Sequence, residues 1–316
     1  MNKVNIRNFG TGLLRLVVLP IFLAFTLSLE CNAQSSHPQK FSLTFFDAGL
    51  SGLEFDGALV LIGFGTQPGV NKFRIFQVDT GSPRNLLYRV GQQWGKANST
   101  DLKSVSVSLS NVFAENPESH TFHELEVPAN GTVNEGVTGL PFFKNRCATF
   151  DFQGRVLVIG KSVESCAVGK PAPDAVFPVT YDDAQNRAFV TVRIGGRALR
   201  LIFDTGAASF DVLVFDRVLF ESMRTLEVRS FLGTAFGRVQ KCDLATTGEF
   251  ERITSPQLGK EIGYCTHADG PAFARAKFEG ADGLLGLQQL KNRRFMLDMI
   301  NHRLVVWPES KSATTP

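Results

Sequence analysis

The chain has 316 residues, 43% of them hydrophobic and 20% charged, with a formal net charge of +3. That is long enough for one or two domains with real cores, and the composition excludes a disordered or collagen-like chain. The basic excess belongs largely to the leader: residues 1–33 hold three Lys/Arg and one Glu, so the remainder carries about +1 and offers no footing for nucleic-acid binding.

Lys3, Arg7 and Arg15 precede an apolar run at 16–29, followed by Cys31-Asn32-Ala33, a small-x-Ala site. This reads as a secretory signal peptide over 1–33, cleaved before Gln34, and implies an exported protein, periplasmic or secreted. A retained membrane anchor is the rival reading, but a 14-residue apolar core is short for a span. A lipid anchor on Cys31 is disfavoured by Glu30, which stands where a small residue is wanted. No stable membrane span is expected after cleavage.

From Phe41 onward the chain reads as short strands with turn punctuation. Residues 58–63 and 73–78 flank the Gly/Pro/Asn-rich 65–71 as a hairpin that feeds Asp79, and 189–194 and 199–203, joined through Gly195-Gly196, do the same for Asp204. Residues 105–112 and 122–127, separated by the polar 115–121, form a second hairpin able to close over a cleft. His120 and His123 lie three apart on that strand, so they face opposite sides and read as surface rather than as metal ligands. The region 231–264 reads as longer and less regular, 162–178 as a linker, and helix is expected only near 215–225 and 287–291. The 28 phenylalanines are core by default. Asn98-Ser99-Thr100 and Asn130-Gly131-Thr132 are glycosylation sequons.

Much of this pattern occurs twice. Asp79-Thr80-Gly81-Ser82 recurs as Asp204-Thr205-Gly206-Ala207, each entered from an apolar strand. Gly136-Val137-Thr138-Gly139-Leu140 recurs as Gly283-Leu284-Leu285-Gly286-Leu287, and Lys144-Asn145-Arg146 with Asp151 as Lys291-Asn292-Arg293 with Asp298, all 147 residues on. Matching Arg155-Val156-Leu157-Val158 to Arg303-Leu304-Val305-Val306 then demands one extra residue in the last hairpin turn of the second copy. A single Asp-Thr-Gly is a common turn, whereas two in matching frames indicate a duplicated unit: 34–170 and 171–308, with a tail at 309–316. Gly81 and Gly206 are glycine because a turn doubling back beside a second backbone needs a positive φ or no side chain.

Outside the leader stand Cys147, Cys166, Cys242 and Cys265, an even number that reads as disulfides in an exported protein. Three pairings are possible. Because each repeat must close its own core, one bridge within each is favoured, Cys147–Cys166 and Cys242–Cys265. Metal ligation by Cys242, Cys265 and His267 is the alternative, without a fourth ligand at a familiar spacing.

Over roughly 41–307 these residues resemble the pepsin and retropepsin superfamily of aspartic proteases. The resemblance implies an all-β, bilobal acid-protease fold: two pseudo-twofold-related retropepsin-like lobes with few short helices, each giving one aspartate to a shared cleft. Asp79 and Asp204 would form the catalytic dyad. Thr80 and Thr205 would lock the two loops together by hydroxyl-to-backbone hydrogen bonds, Gly81 and Gly206 would let the loops approach, and Gly136, Gly139, Gly283 and Gly286 would brace them from behind. None of the tyrosines, Tyr88, Tyr181 and Tyr264, falls in the 105–127 hairpin, where pepsins place one. With seven residues between Gln34 and the first strand, a pepsin-type pro-segment is not expected.

The chemistry fits the residue types by itself. Two adjacent carboxylates cannot both ionise, so one keeps a proton and the other acts as base toward a shared water; neither metal nor cofactor is required. The expected activity is endopeptidase cleavage of a peptide or protein substrate by a monomer, since both aspartates are supplied in cis. The alternative is a catalytically weak or inactive binding or inhibitory protein on the same fold. Work on a glycosidic bond would leave the symmetric Thr-Gly partners unexplained. Ser82 is expected to donate its hydroxyl to Asp79, with Ala207 offering Asp204 nothing, so that Asp79 carries the charge and Asp204 the proton.

Overall fold

The computed structural model describes residues 38–46, 59–65, 73–90, 104–109, 118–127, 135–167, 171–194, 196–207, 210–235, 238–247, 261–265, 280–290 and 293–308. The leader, both sequons, residues 110–117 of the second hairpin and the 309–316 tail lie outside them. In the first half the strands are β1 (Gln39–Phe46), β2 (Leu59–Gly65), β3 (Phe73–Val78), β4 (Leu86–Val90), β5 (Ser104–Leu109), β6 (Glu118–Val127), β7 (Gly136–Thr138), β8 (Cys147–Asp151) and β9 (Val156–Gly160). A short helix, α1 (Val163–Ala167), leads to β10 (Ala175–Asp182), β11 (Arg187–Ile194), β12 (Arg197–Phe203) and β13 (Val212–Val214). After α2 (Arg217–Met223) come β14 (Arg224–Ala235), β15 (Arg238–Thr247), β16 (Glu261–Cys265), β17 (Gly283–Leu285), β18 (Arg294–Asp298) and β19 (Arg303–Val306). Among the described residues no helix is long and apolar enough to cross a membrane.

The two halves repeat one topology. In the first the strand order is β1-β2-β3-β7-β4-β6-β5; in the second it is β10-β11-β12-β17-β13-β16-β15-β14. In both, the strand that ends in Asp-Thr-Gly pairs in parallel with the short glycine strand, β3 with β7 and β12 with β17. That glycine strand pairs antiparallel on its other side with the strand leaving the loop, β4 or β13. Each Asp-Thr-Gly turn therefore connects the two neighbours of one central strand. The fold is all-β and bilobal.

A third sheet joins the halves in the order β1-β9-β8-β18-β19-β10. Its middle pair, β8 and β18, sets Phe150 opposite Phe295, and their rings stack at 4.7 Å. Phe203, the last residue of β12, meets Phe295 edge-on at 5.8 Å. All three are fully buried, and a buried Phe contributes about 1.5–3 kcal/mol through lost water contact. Arg294 on β18 donates from Nε to Asp151 on β8 at 2.7 Å, a second tie between halves.

The hairpins β8–β9 and β18–β19 correct the sequence alignment. Asp151 pairs with Val156 and Asp298 with Arg303, so the 147-residue spacing persists through the turn and no extra residue is inserted. Arg155 and His302 hold the matching left-handed positions, with φ of 51° and 53°. Matching Arg155 to Arg303 followed residue type where backbone register is what repeats. The aspartates explain their own recurrence: Asp151 accepts from Gly154 N at 2.8 Å, and Asp298 from the Ile300 and Asn301 nitrogens at 3.1 and 3.0 Å, each organising its turn.

Other expectations shift. The supposed linker at 162–178 contains α1 and the start of β10, because Ala175, Phe177 and Val179 alternate inward as a strand. The described part of the region expected to be irregular lies in a long hairpin, β14–β15, whose register shifts only between Arg224 and Val228, with β16 beside it; residues 236–237 and 248–260 lie outside the described residues. Helix at 215–225 is realised as α2, capped by Asp216, whose carboxylate accepts from Val218 N and Leu219 N. Among the described residues two disulfides form, Cys147–Cys166 and Cys242–Cys265. The first ties β8 to α1 and the second joins register partners on β15 and β16, which leaves neither Cys242 nor Cys265 a thiolate for a metal. Loops of 19 and 23 residues correspond to roughly 3 kcal/mol each in the chain-entropy account.

Asp298 gives a test of the interlobe sheet. Burial alone would raise its carboxyl, but Asn301 and Arg303 outweigh that and hold it below the usual range. Its contribution is therefore present above pH 3.8 and lost as pH falls through the lower folded value. Asp298→Asn should cost about 1–3 kcal/mol at pH 7, and the deficit should shrink on acidification; urea denaturation at pH 7 and pH 3 reads both.

Candidate active site

The two Asp-Thr-Gly loops meet where β3 and β12 end. Asp79 N donates to Thr138 O at 3.1 Å and Asp204 N to Leu285 O at 2.9 Å, so each loop is anchored to the tail of its glycine strand. Each then turns: Ser82 N donates to Asp79 O and Ala207 N to Asp204 O.

Thr80 and Thr205 hold the loops to one another. Thr80 Oγ1 donates to Phe203 O at 2.9 Å and accepts from Thr205 N at 3.0 Å. Thr205 Oγ1 reciprocates, donating to Val78 O at 2.9 Å and accepting from Thr80 N at 3.0 Å. Both threonines are wholly buried, where an unpaired polar group costs about 1–3 kcal/mol.

Gly81 and Gly206 owe their identity to space. Neither is among the glycines with positive φ, but a Cβ on Gly81 would sit 2.3 Å from Asp204 Cγ, and one on Gly206 2.8 Å from Asp79 Cγ. Of the two reasons weighed from sequence, the absent side chain is the operative one. The four bracing positions lie behind the loops: a Cβ on Gly136 or Gly283 would strike Leu86 O or Leu213 O, and one on Gly139 or Gly286 would strike Arg84 O or Phe210 O. Leu140 N and Leu287 N then hold Ser82 O and Ala207 O at 2.9 and 3.0 Å.

The carboxyls are half-buried and hydrogen-bonded to each other. Burial, the negative charge of Asp204 and the hydrogen bond to Asp204 raise Asp79 well above the ordinary carboxylate range, against the Ser82 N–H and the Arg187 guanidinium. Burial also raises Asp204, but the bond from Asp79, the N–H groups of Gly206 and Gly81, and Arg187 pull it back. Both carboxyls are thus held above the ordinary range, and Asp204 has the richer set of backbone donors, Gly206 and Gly81 against Ser82 alone. The hydroxyl bond from Ser82 to Asp79 expected from the sequence is not made. That hydroxyl donates to Arg84 O at 2.7 Å, and what Asp79 accepts from Ser82 is its backbone N–H at 2.9 Å.

Three site residues went unassigned in the sequence. Asn85, buried in the loop after Asp79, accepts from Gly139 N at 2.9 Å and donates to Thr121 O on β6 at 3.1 Å, coupling the loop to the second hairpin. Tyr88 on β4 is half-buried, and burial together with the charge of Asp79 pushes its phenol up to about 12. Arg187, 8% exposed, donates from Nη1 to Gly81 O. The available signal was a lone polar or charged residue entering an apolar strand, as in Asn85-Leu86-Leu87 and Arg187-Ala188-Phe189-Val190. The tip of the β5–β6 hairpin and His267 lie outside the described residues, which contain no cluster of three or more His, Cys, Asp or Glu suited to a metal.

No protein-family model matches the chain, and no curated protein matches it in sequence. Among solved structures it is similar to basic 7S globulin from soybean, at 12% identity and a TM-score of 0.45, over 86% of this chain and 95% of that one. It is also similar to conglutin gamma, a basic 7S globulin from lupine seeds, at 10% identity and a TM-score of 0.47, over 87% and 96% of the respective chains.

Two outcomes follow from this geometry. Thr80→Val orphans Phe203 O and Thr205 N, and Thr205→Val orphans Val78 O and Thr80 N, so each should cost about 2–4 kcal/mol in urea denaturation. Asp79→Asn should act the other way. A raised carboxyl contributes stability that is present below pH 3.8 and lost as pH rises through the folded value. The variant's melting temperature should therefore exceed that of the wild type by more at pH 7 than at pH 3.5.

Proposed function

We propose that the protein is an exported aspartic endopeptidase, acting as a monomer of two lobes, 34–170 and 171–308. The observation that carries the reading is the reciprocal threonine pairing, which holds two hydrogen-bonded carboxyls in place from both halves. A water bound between the carboxyls would give a proton to Asp204 while its oxygen attacks the peptide carbonyl carbon. Asp79 would pass its proton to the carbonyl oxygen, leaving an uncharged tetrahedral diol. Asp204 would then protonate the amide nitrogen as the C–N bond breaks, and a diol hydroxyl would return its proton to Asp79. Two disulfides fit the oxidising compartment that export implies.

A second reading is a protein of this fold that binds a peptide or protein partner without cleaving it. It is favoured by β5 and β6, whose sequences SVSVSL and ESHTFHELEV carry no tyrosine to close on substrate.

A peptide library incubated at pH 3–7, with and without pepstatin, distinguishes the two. The protease reading expects inhibitable cleavage that Asp79→Asn and Asp204→Asn each abolish, with the double variant little worse than either, because the carboxyls act as a unit. The binding reading expects no cleavage by the wild type and partner affinity that survives both substitutions.

A further inference from the structure

Arg187 opens β11, directly across the β10–β11 hairpin from Asp182. The hairpin turns through residues 183–186, where Asn186 holds a left-handed φ of 51° and Asp182 accepts from Gln185 N at 3.1 Å. On its outer side Lys144 is paired with the exposed Asp183. The Arg187 guanidinium reaches inward to the Gly81 carbonyl. Gly81 is the residue pressed against the Asp204 carboxyl, with no room for a Cβ between them. A guanidinium from the second lobe, a fixed positive charge by its chemistry, thus grips the first lobe's active-site loop two residues past Asp79.

We propose that Arg187 is a positioning residue of the paired-aspartate site, holding the Gly81 carbonyl and setting a fixed positive charge beside the loop that is pressed against Asp204. The inference rests on reading Asp79 and Asp204 as a working dyad. A nearby cation favours the ionised form of each carboxyl, so it lowers both the first and the second proton loss of the pair. Its charge acts on both carboxyls in that direction. Among the described residues a further titratable side chain near Asp79 is Tyr88 from β4, whose phenol is pushed up to about 12 and stays neutral across the acidic range. Among the described residues Arg187 is thus a cation that lowers both carboxyls against the larger, raising effect of burial, and the backbone N–H groups of Ser82, Gly206 and Gly81 are common to any variant.

The test is the 13C titration of the full chain labelled at the aspartate carboxyl carbons, with the two dyad signals assigned from Asp79→Asn and Asp204→Asn, alongside the pH profile of kcat/KM. Arg187→Gln, which keeps a donor for Gly81 O but no charge, should raise both midpoints by about one unit and move both limbs of the profile with them. Arg187→Lys should restore midpoints to within a few tenths of the wild type. If Arg187→Gln does not fold, Arg187→Met keeps the buried stem and reads the same shift. Unchanged midpoints in the folded uncharged variant, or midpoints in Arg187→Lys as high as in Arg187→Gln, overturn the proposal. Midpoints that shift in Arg187→Gln while the wild type cleaves nothing would sink the protease reading and sustain this one; cleavage by the wild type with unshifted midpoints in Arg187→Gln would do the reverse.

Discussion

The reciprocal hydrogen bonds between Thr80 and Thr205 are the constraint on which the rest depends. Each hydroxyl donates to the strand that carries the other half's aspartate and accepts from the other threonine's N–H, so neither loop has its geometry without the other. The missing side chains at Gly81 and Gly206 serve the same closeness. Bringing the loops together places two acids in contact, and a low-dielectric site then lets them keep one proton between them. Packing and protonation state here have a single cause.

The symmetry that builds the pair is broken by its surroundings. Asp204 receives backbone donors from both glycines, Asp79 receives one from Ser82, and the loop nearest both is gripped by a guanidinium from the second half alone. The halves differ again farther out. The second carries an additional strand, β14, beyond its β15–β16 pair, and a disulfide across that pair, whereas β5–β6 in the first is held by strand pairing and by Asn85. A duplicated backbone can thus present two chemically distinct acids.

Much of this was legible in the sequence because it rests on local necessity. A doubled Asp-Thr-Gly, each copy followed by spaced glycines, marks the close backbone approaches directly, since only those approaches demand glycine. The side-chain partnerships were not legible. Ser82 sits where a hydroxyl could reach Asp79, yet the rotamer that bonds Arg84 O wins, and no spacing rule separates the two. Arg187 lies 106 residues from Gly81, so only the register of β10 with β11 and the docking of the halves bring it there. The apparent insertion near 300 arose from trusting a shared arginine, when the repeated quantity was the turn closed by a left-handed residue.

The interlobe sheet bears on how the chain reaches this state. Its central pairing joins strands 143 residues apart, as the Arg294–Asp151 contact spans, and such remote partners must await closure of a very long loop. β12 takes its place beside β17, and β8 beside β18, so the carboxyl pair lacks its full support until the last quarter of the polypeptide is in place. Strand order thereby makes the C-terminal strands a precondition for the paired loops.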